Sequence, residues 1–227
     1  MSRACLVTGT DTGIGKTFAA VALLHALRAR GMRAVGMKPV AAGCVATADG
    51  WCNDDALALQ AASDPQPGYG DVNPYALPQA TAPQLAARDA AVVVEPARIV
   101  DACARLAAMA DVVVVEGAGG WAAPLADGFE HADLAHALRA DVVLVVGLRL
   151  GCLSHARLTA RAIVADGCGL AGWIGNRVDP GFDRVDDYLA LLGRALPAPC
   201  LGVLAHADGG DAAVAGGGIV LPASWAD

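Results

Sequence analysis

Short apolar runs alternate along the chain with longer segments of helical period. The runs occupy residues 4–7, 34–38, 112–116, 142–147, 170–176 and 201–204. VVVVE at 112–116 and VVLVVG at 142–147 have no polar residue at every second position, so they do not read as strands with one wet face. Strands covered on both faces look like this, because side chains pointing up and down from the sheet are equally buried. Residues 17–30 keep a helical period after the first run, and LGCLSHARLTARAIV reads as a helix beginning near Ser154. The alternation predicts βαβ units: an α/β fold with a mostly parallel central sheet and helices on both faces. Between residues 41 and 84 scattered Gly, Pro and Asp weaken the pattern, which predicts loops around a short helix over 54–62. Residues 209–218 are glycine-rich enough to be loose. With no internal repeat or long linker, residues 1–227 are read as a single domain.

Composition narrows the function. A chain 56% hydrophobic and 17% charged is not disordered, yet charge, glycine or proline interrupts each apolar run before it could span a membrane. A lone Arg3 precedes the first run, without the charged region and longer apolar stretch of a secretion signal, so the expected location is the cytoplasm. The net charge is -7 and no basic cluster occurs, which argues against nucleic acid and for small-molecule partners. Cys5, Cys44, Cys52, Cys103, Cys152, Cys168 and Cys200 form no C-x-x-C pair and read as buried free thiols in a reducing compartment. His131 and His136, five apart, face different sides of a helix, which predicts surface roles rather than a shared metal.

The chemistry concentrates in GTDTGIGKT, residues 9–17, between the first apolar run and the helical segment FAAVALLHALRAR. Strand, glycine-rich loop and helix is the setting of a phosphate loop. Gly13, Ile14 and Gly15 would turn backbone N–H groups toward phosphate oxygens. The helix N-terminus adds partial positive charge, Lys16 neutralises terminal phosphate charge, and Thr17 suits Mg²⁺. The loop is one residue longer than the usual spacing, since Thr10 stands where the first glycine would be and Gly9 comes one earlier. A three-layer P-loop NTPase-like fold is therefore expected. Asp111 and Glu116 mark opposite ends of one strand roughly 16 Å apart. Ligands sit at the carboxyl ends of parallel strands, so Glu116 is the metal candidate, followed by Gly117, Gly119 and Gly120, which admit a close ligand. Asn53, Asp54 and Asp55 precede the short helix, and capping and metal binding remain equally open there. Lys38 ends its apolar run before Pro39, beside the phosphate loop if the two strands are neighbours, as a second cation for developing phosphate charge.

GTDTGIGKT, KPVAAG, NDDALALQ, VNPY, VEGAGGW, LGCLSHA and GWIGN, in this order, resemble the dethiobiotin synthetase family along nearly the whole chain. The resemblance implies a Mg²⁺- and ATP-dependent ring closure in which 7,8-diaminononanoate and CO₂ give dethiobiotin, ADP and phosphate. It implies that one amine captures CO₂ as a carbamate and that a carbamate oxygen attacks the γ-phosphate. The second amine then displaces phosphate and closes the ureido ring. Thr12, Lys16 and Lys38 would act on carbamate and phosphate oxygens, and Thr17, Asp55 and Glu116 would hold the metal. ATP would be bound by residues 13–18, Phe18 included, by Gly117, Ala118 and Gly119, and by Asn176 with Ala205, His206 and Ala207 on the adenine side. Thr12, Lys38 and Ala42 would meet the diamine. Its carboxylate would reach Gly151, Cys152, Leu153, Ser154 and Tyr188 of a second subunit, which implies a homodimer. The chain departs from the family in three places. Ala42 stands where a hydroxyl residue is usual, Ser154 replaces a common asparagine, and no proline lies near Ala205.

Two further readings compete. A partitioning-type P-loop ATPase carries a second lysine five residues before the loop lysine, where this chain has Asp11. A cobyrinate-type synthetase needs an additional glutaminase domain, for which 227 residues leave no room.

Overall fold

The computed structural model describes residues 2–206 and 211–225. From the N-terminus, β1 (Arg3–Gly9) leads through the glycine-rich loop to α1 (Lys16–Arg28) and β2 (Ala34–Met37). Short elements follow: β3 (Val40–Ala42), β4 (Val45–Thr47), β5 (Gly50–Cys52), α2 (Asp54–Ala62), α3 (Tyr69–Val72), β6 (Tyr75–Leu77) and α4 (Pro83–Asp89). The remainder alternates regularly: α5 (Pro96–Met109), β7 (Val112–Glu116), α6 (His131–Leu138), β8 (Asp141–Gly147), α7 (Cys152–Ala165), β9 (Leu170–Asn176), α8 (Val185–Ala195), β10 (Cys200–Leu204) and α9 (Ala212–Gly216).

Among the described residues, six strands form a parallel sheet in the order β10-β9-β8-β1-β7-β2. Successive residues of each central strand feed opposite cores. Cys5, Val7, Val114 and Val143 pack with Leu23, Leu24 and Leu59 from α1 and α2. Leu6, Val113, Val115 and Leu144 pack with Ile99, Leu106, Leu134 and Ile163 from α5, α6 and α7. Both faces are therefore dry, which is why the strand sequences are unbroken apolar runs. β1 lies between β7 and β8, and its carboxyl end opens onto the crevice where parallel sheets bind ligands.

The short helix over 54–62 forms as expected. The rest of 41–84 is more ordered than the sequence predicts: β3 pairs with β6 in parallel, and β4 with β5 as an antiparallel hairpin. Three-residue strands are too short to display a period. The glycine-rich tail also differs from expectation. The Asp211 carboxylate caps α9 by accepting the Ala213 N–H, and a Cβ on Gly216 would lie 2.6 Å from the Ala22 carbonyl oxygen of α1. This glycine permits close packing of α9 on α1; residues 209–210 lie outside the described residues. All seven cysteines are free, but Cys200 is exposed and Cys52 half-buried rather than in the core. Among the described residues no helix is long and apolar enough to cross a membrane.

Candidate functional site

The glycine-rich loop leaves β1 at the open end of the sheet. Gly13 and Gly15 have φ of 72° and 77°, the left-handed region that glycine enters without strain. Gly15 also caps α1, and a Cβ there would overlap the Asn176 amide. Asn176 is buried at the end of β9, and its Nδ2 donates to the Ile14 carbonyl at 2.8 Å, tying the loop to a strand two places away across the sheet. No acidic residue occupies the first turn of α1, so its partial positive charge is uncompensated there. Lys16 is buried, and its Nζ donates to the Asp11 carbonyl at 2.9 Å. Burial, then the nearby Lys38 charge, lowers its pKa to about 8. Phe18 lies half-buried in the first turn of α1.

Opposite the loop, three segments converge. Glu116 ends β7 with a side chain only 1% exposed, and its Oε1 accepts from Thr17 Oγ1 at 2.9 Å and from Lys38 Nζ at 2.5 Å. Lys38, one residue beyond β2, also donates to Asp55 Oδ2 at 3.0 Å. β7 separates β1 from β2, so the two strands are not neighbours and Lys38 meets the loop side through Glu116. Burial works to lower the Lys38 pKa, but the Glu116 and Asp55 carboxylates outweigh it and raise the value. Burial likewise works against the Asp55 carboxylate, and Lys38 overrides it, holding the pKa below its ordinary value. The ambiguity at residues 53–55 resolves by position: Asn53 caps α2 by accepting the Ala56 N–H, Asp54 is exposed, and Asp55 faces Lys38.

These oxygens suit a hard divalent cation. Glu116 Oε2 is buried with no hydrogen-bond partner among the described residues, and Lys38 already places a positive charge against Glu116 and Asp55. No group of three or more His, Cys, Asp or Glu side chains gathers among the described residues, so the protein offers no all-protein cage. Mg²⁺, which keeps water and phosphate oxygens in its shell, fits such a sparse donor set.

Thr12, Gly13, Gly15, Lys16, Thr17, Lys38, Ala42, Asp55, Glu116, Ala118 and Gly119 line one cleft of about 790 Å³. Asn53 and five residues that were not anticipated, Ala80, Thr81, Ala82, Pro83 and Ala123, complete its wall. Only the Thr81 hydroxyl among those five carries evident chemistry, so the sequence held little to mark them. Asp11 was anticipated only as a missing lysine; its carboxylate accepts from Thr12 N–H and from the Arg149 guanidinium, which pins the loop.

His131 requires a correction. It is fully buried as the first residue of α6, not a surface residue, and sits against Gly117, where a Cβ would lie 2.5 Å from its Nε2. Burial lowers its pKa to about 4. Periodicity missed this because the ring fills space behind the glycines after Glu116, a tertiary contact. His136 is exposed as expected, and its Nε2 meets the Asp166 carbonyl.

The remaining candidates lie outside the cleft. α7 begins at Cys152 rather than near Ser154, and Gly151, with φ of 96°, is its cap. The N–H groups of Cys152 and Ser154 donate to the Arg149 and Gly151 carbonyls. Leu153 is half-buried, and Tyr188 on α8 packs edge-on against Phe182 with ring centroids 4.7 Å apart. Ala205 is exposed after β10, and His206 Nδ1 meets the Arg177 carbonyl at 2.9 Å. Ala207 lies outside the described residues.

Known proteins resemble this chain at two levels. A family model described as an AAA domain matches residues 3–208. An ATP-dependent dethiobiotin synthetase BioD from Xanthomonas euvesicatoria is 58% identical over 216 residues, covering 95% of this chain and 96% of its own. One from Xanthomonas campestris pv. campestris is 62% identical over 196 residues, covering 86% and 88%. Among solved structures, the septum site-determining protein MinD from Pyrococcus horikoshii, complexed with Mg-ADP, aligns with a TM-score of 0.56 at 17% identity, covering all of this chain and 89% of that one. A ParA family ATPase from Chlorobium tepidum gives 0.53 at 14% identity, covering 92% and 86%. At those identities the structural likeness establishes the P-loop NTPase-like fold alone.

Proposed function

The chain belongs to the ATP-dependent dethiobiotin synthetase family, and on that premise we propose that residues 1–227 act as one domain closing the ureido ring of dethiobiotin from 7,8-diaminononanoate, CO₂ and ATP. The observation that carries the reading is the meeting of Lys16, Thr17, Lys38, Asp55 and Glu116 in one cleft beside the phosphate loop.

The triphosphate lies along the loop, its oxygens facing backbone N–H groups of residues 13–17 and the N-terminus of α1. Gly117, Ala118 and Gly119 flank it, and Asn176 with Ala205 and His206 borders the base. Thr17, Asp55 and Glu116 would hold Mg²⁺, which when bound neutralises phosphate charge and favours its transfer. Lys38 and Thr12 orient a carbamate formed from one amine and CO₂. A carbamate oxygen attacks the γ-phosphorus, the bond to the bridging oxygen breaks, and ADP departs. The second amine attacks the carbonyl of the resulting carbamic-phosphoric anhydride, expels phosphate and loses a proton as the ring closes. No covalent bond to the protein forms, so Lys16 and Lys38 act by position and charge. The diamine's far carboxylate reaches Gly151, Cys152, Leu153, Ser154 and Tyr188 of a second copy in a homodimer. Ala42 offers no hydroxyl to the diamine, leaving that wall of the cleft to Thr12 and Lys38. Free thiols throughout suit the reducing cytoplasm.

The test is to incubate the purified protein with Mg²⁺-ATP, bicarbonate and diaminononanoate, omit each in turn, and assay dethiobiotin. Product is expected only from the complete mixture. ADP release indifferent to the diamine would mark a switch-type ATPase and overturn the proposal.

A further inference from the structure

Behind the 117–120 turn lies a histidine that the reaction itself does not require. The Ala118 N–H approaches His131 Nε2 at 3.1 Å. An amide N–H can only donate, so Nε2 must be the unprotonated ring nitrogen. The proton then resides on Nδ1, which lies 3.0 Å from the Ala123 carbonyl and donates to it. One neutral imidazole therefore grips both ends of the 118–123 turn, and Ala118, Gly119 and Ala123 all line the cleft. Gly117 leaves no Cβ to keep the ring away. Because the N–H and C=O of a planar trans peptide point in opposite directions, fixing the Ala118 N–H also fixes the Gly117 carbonyl oxygen, which lies in the same plane on the other side of the C–N bond. The surroundings disfavour a second proton on the ring: it is fully buried at the N-terminus of α6, with Lys16 and Lys38 close enough to repel positive charge.

We infer that His131 is a positioning residue for ATP, its neutral Nδ1–H imidazole holding the 117–123 main chain in register with the cleft. The inference rests on the proposed nucleotide role of Gly117, Ala118 and Gly119. His131→Phe keeps a ring of similar size but removes both hydrogen bonds. His131→Gln can place Oε1 where Nε2 stood and accept the Ala118 N–H, whereas the shorter His131→Asn reaches only toward Ala123. With diamine saturating, His131→Phe is expected to raise the KM for ATP roughly tenfold, equivalent to about 1.4 kcal/mol, with a smaller change in kcat. Gln should recover most of the loss and Asn little. Ile99→Val, a core change on α5, controls for stability: it should lower Tm and leave the KM for ATP unchanged.

Side-chain ¹⁵N NMR of the wild-type protein should show one histidine with Nδ1 protonated and Nε2 bare at pH 6, a signal absent from His131→Phe. This readout keeps the inference falsifiable if the variants fold poorly. An Nε2–H tautomer overturns the inference, as does an unchanged KM in His131→Phe, equal recovery by Asn and Gln, or a KM that tracks Tm across all variants including Ile99→Val. A wild-type protein that makes no dethiobiotin refutes the functional reading instead, and the NMR result still decides the tautomer.

Discussion

The two walls of the cleft are built on different principles. The phosphate-loop wall uses residues adjacent in sequence: Gly13 and Gly15 in left-handed conformations, Lys16 beside them, and the start of α1 immediately after. The carboxylate wall joins Lys38, Asp55 and Glu116, which lie on separate segments and meet only when β7 comes between β1 and β2. The first wall relies on backbone and tolerates little change in local conformation. The second relies on paired charge and tolerates little change in partners.

Lys38→Ala should produce the largest effect. On the proposed function Lys38 is a preorganised cation at the transferring phosphate, and its loss is expected to lower kcat by about 10²–10³. Removing one partner of a buried ion pair also costs about 3–5 kcal/mol, since Glu116 keeps its charge without the ammonium. Steady-state kinetics and urea unfolding of the metal-free protein check both. Equal stability of variant and wild type would show that the second wall does not depend on pairing.

Gly15→Ala attacks the first wall. The substitution forces a Cβ into the left-handed region and against the Asn176 amide, for an expected loss of about 1–3 kcal/mol together with nucleotide binding. Denaturant unfolding and calorimetric titration with ATP measure the two losses. Gly13→Ala, at a position with the same sign of φ but nothing within reach of a Cβ, should cost less.

The pH dependence of Lys16 separates the walls more finely. Its folded pKa of about 8 lies below the ordinary 10.5, so between those values the unfolded chain binds more protons than the folded one. Stability from this group therefore rises with pH from about 8 to 10.5. Affinity for the triphosphate moves the other way, falling by up to about tenfold per pH unit as the ammonium is lost. Calorimetric titration between pH 7 and pH 10 should show this limb, and Lys16→Met should lack it.

Asn53→Ala gives the smallest effect. Loss of the α2 cap costs about 1 kcal/mol, read as a lower Tm, with a modest fall in activity because Asp55 sits in the loosened first turn.

Much of this architecture was legible from the chain. Unbroken apolar runs such as VVVVE announced strands buried on both faces, and α2 formed over its expected span because its cap and length were written locally. The three-residue strands β3 to β6 were not legible, being shorter than any period that could reveal them. The residues that open α2 show the limit most clearly. Residue type and spacing left capping and metal binding open at Asn53, Asp54 and Asp55, and only the family resemblance pointed to Asp55; they became a cap, a solvated carboxylate and a Lys38 partner according to their direction around one turn of helix. His131 was misjudged for the same reason, since a burial that depends on the glycines after Glu116 leaves no periodic trace.

The sequence by itself determined the parallel α/β class, the phosphate loop and the end of each strand at which chemistry would gather, because dihedral preference, helix start and apolar period all act between near neighbours in the chain. The tertiary structure decided that Lys38 pairs with Glu116 and Asp55, that Asn176 holds Ile14, and that His131 supports the opposite turn. Those contacts depend on strand order and on which residues the packing of both cores brings within reach, and Coulomb and hydrogen-bond energies are set by such distances, not by separation along the chain.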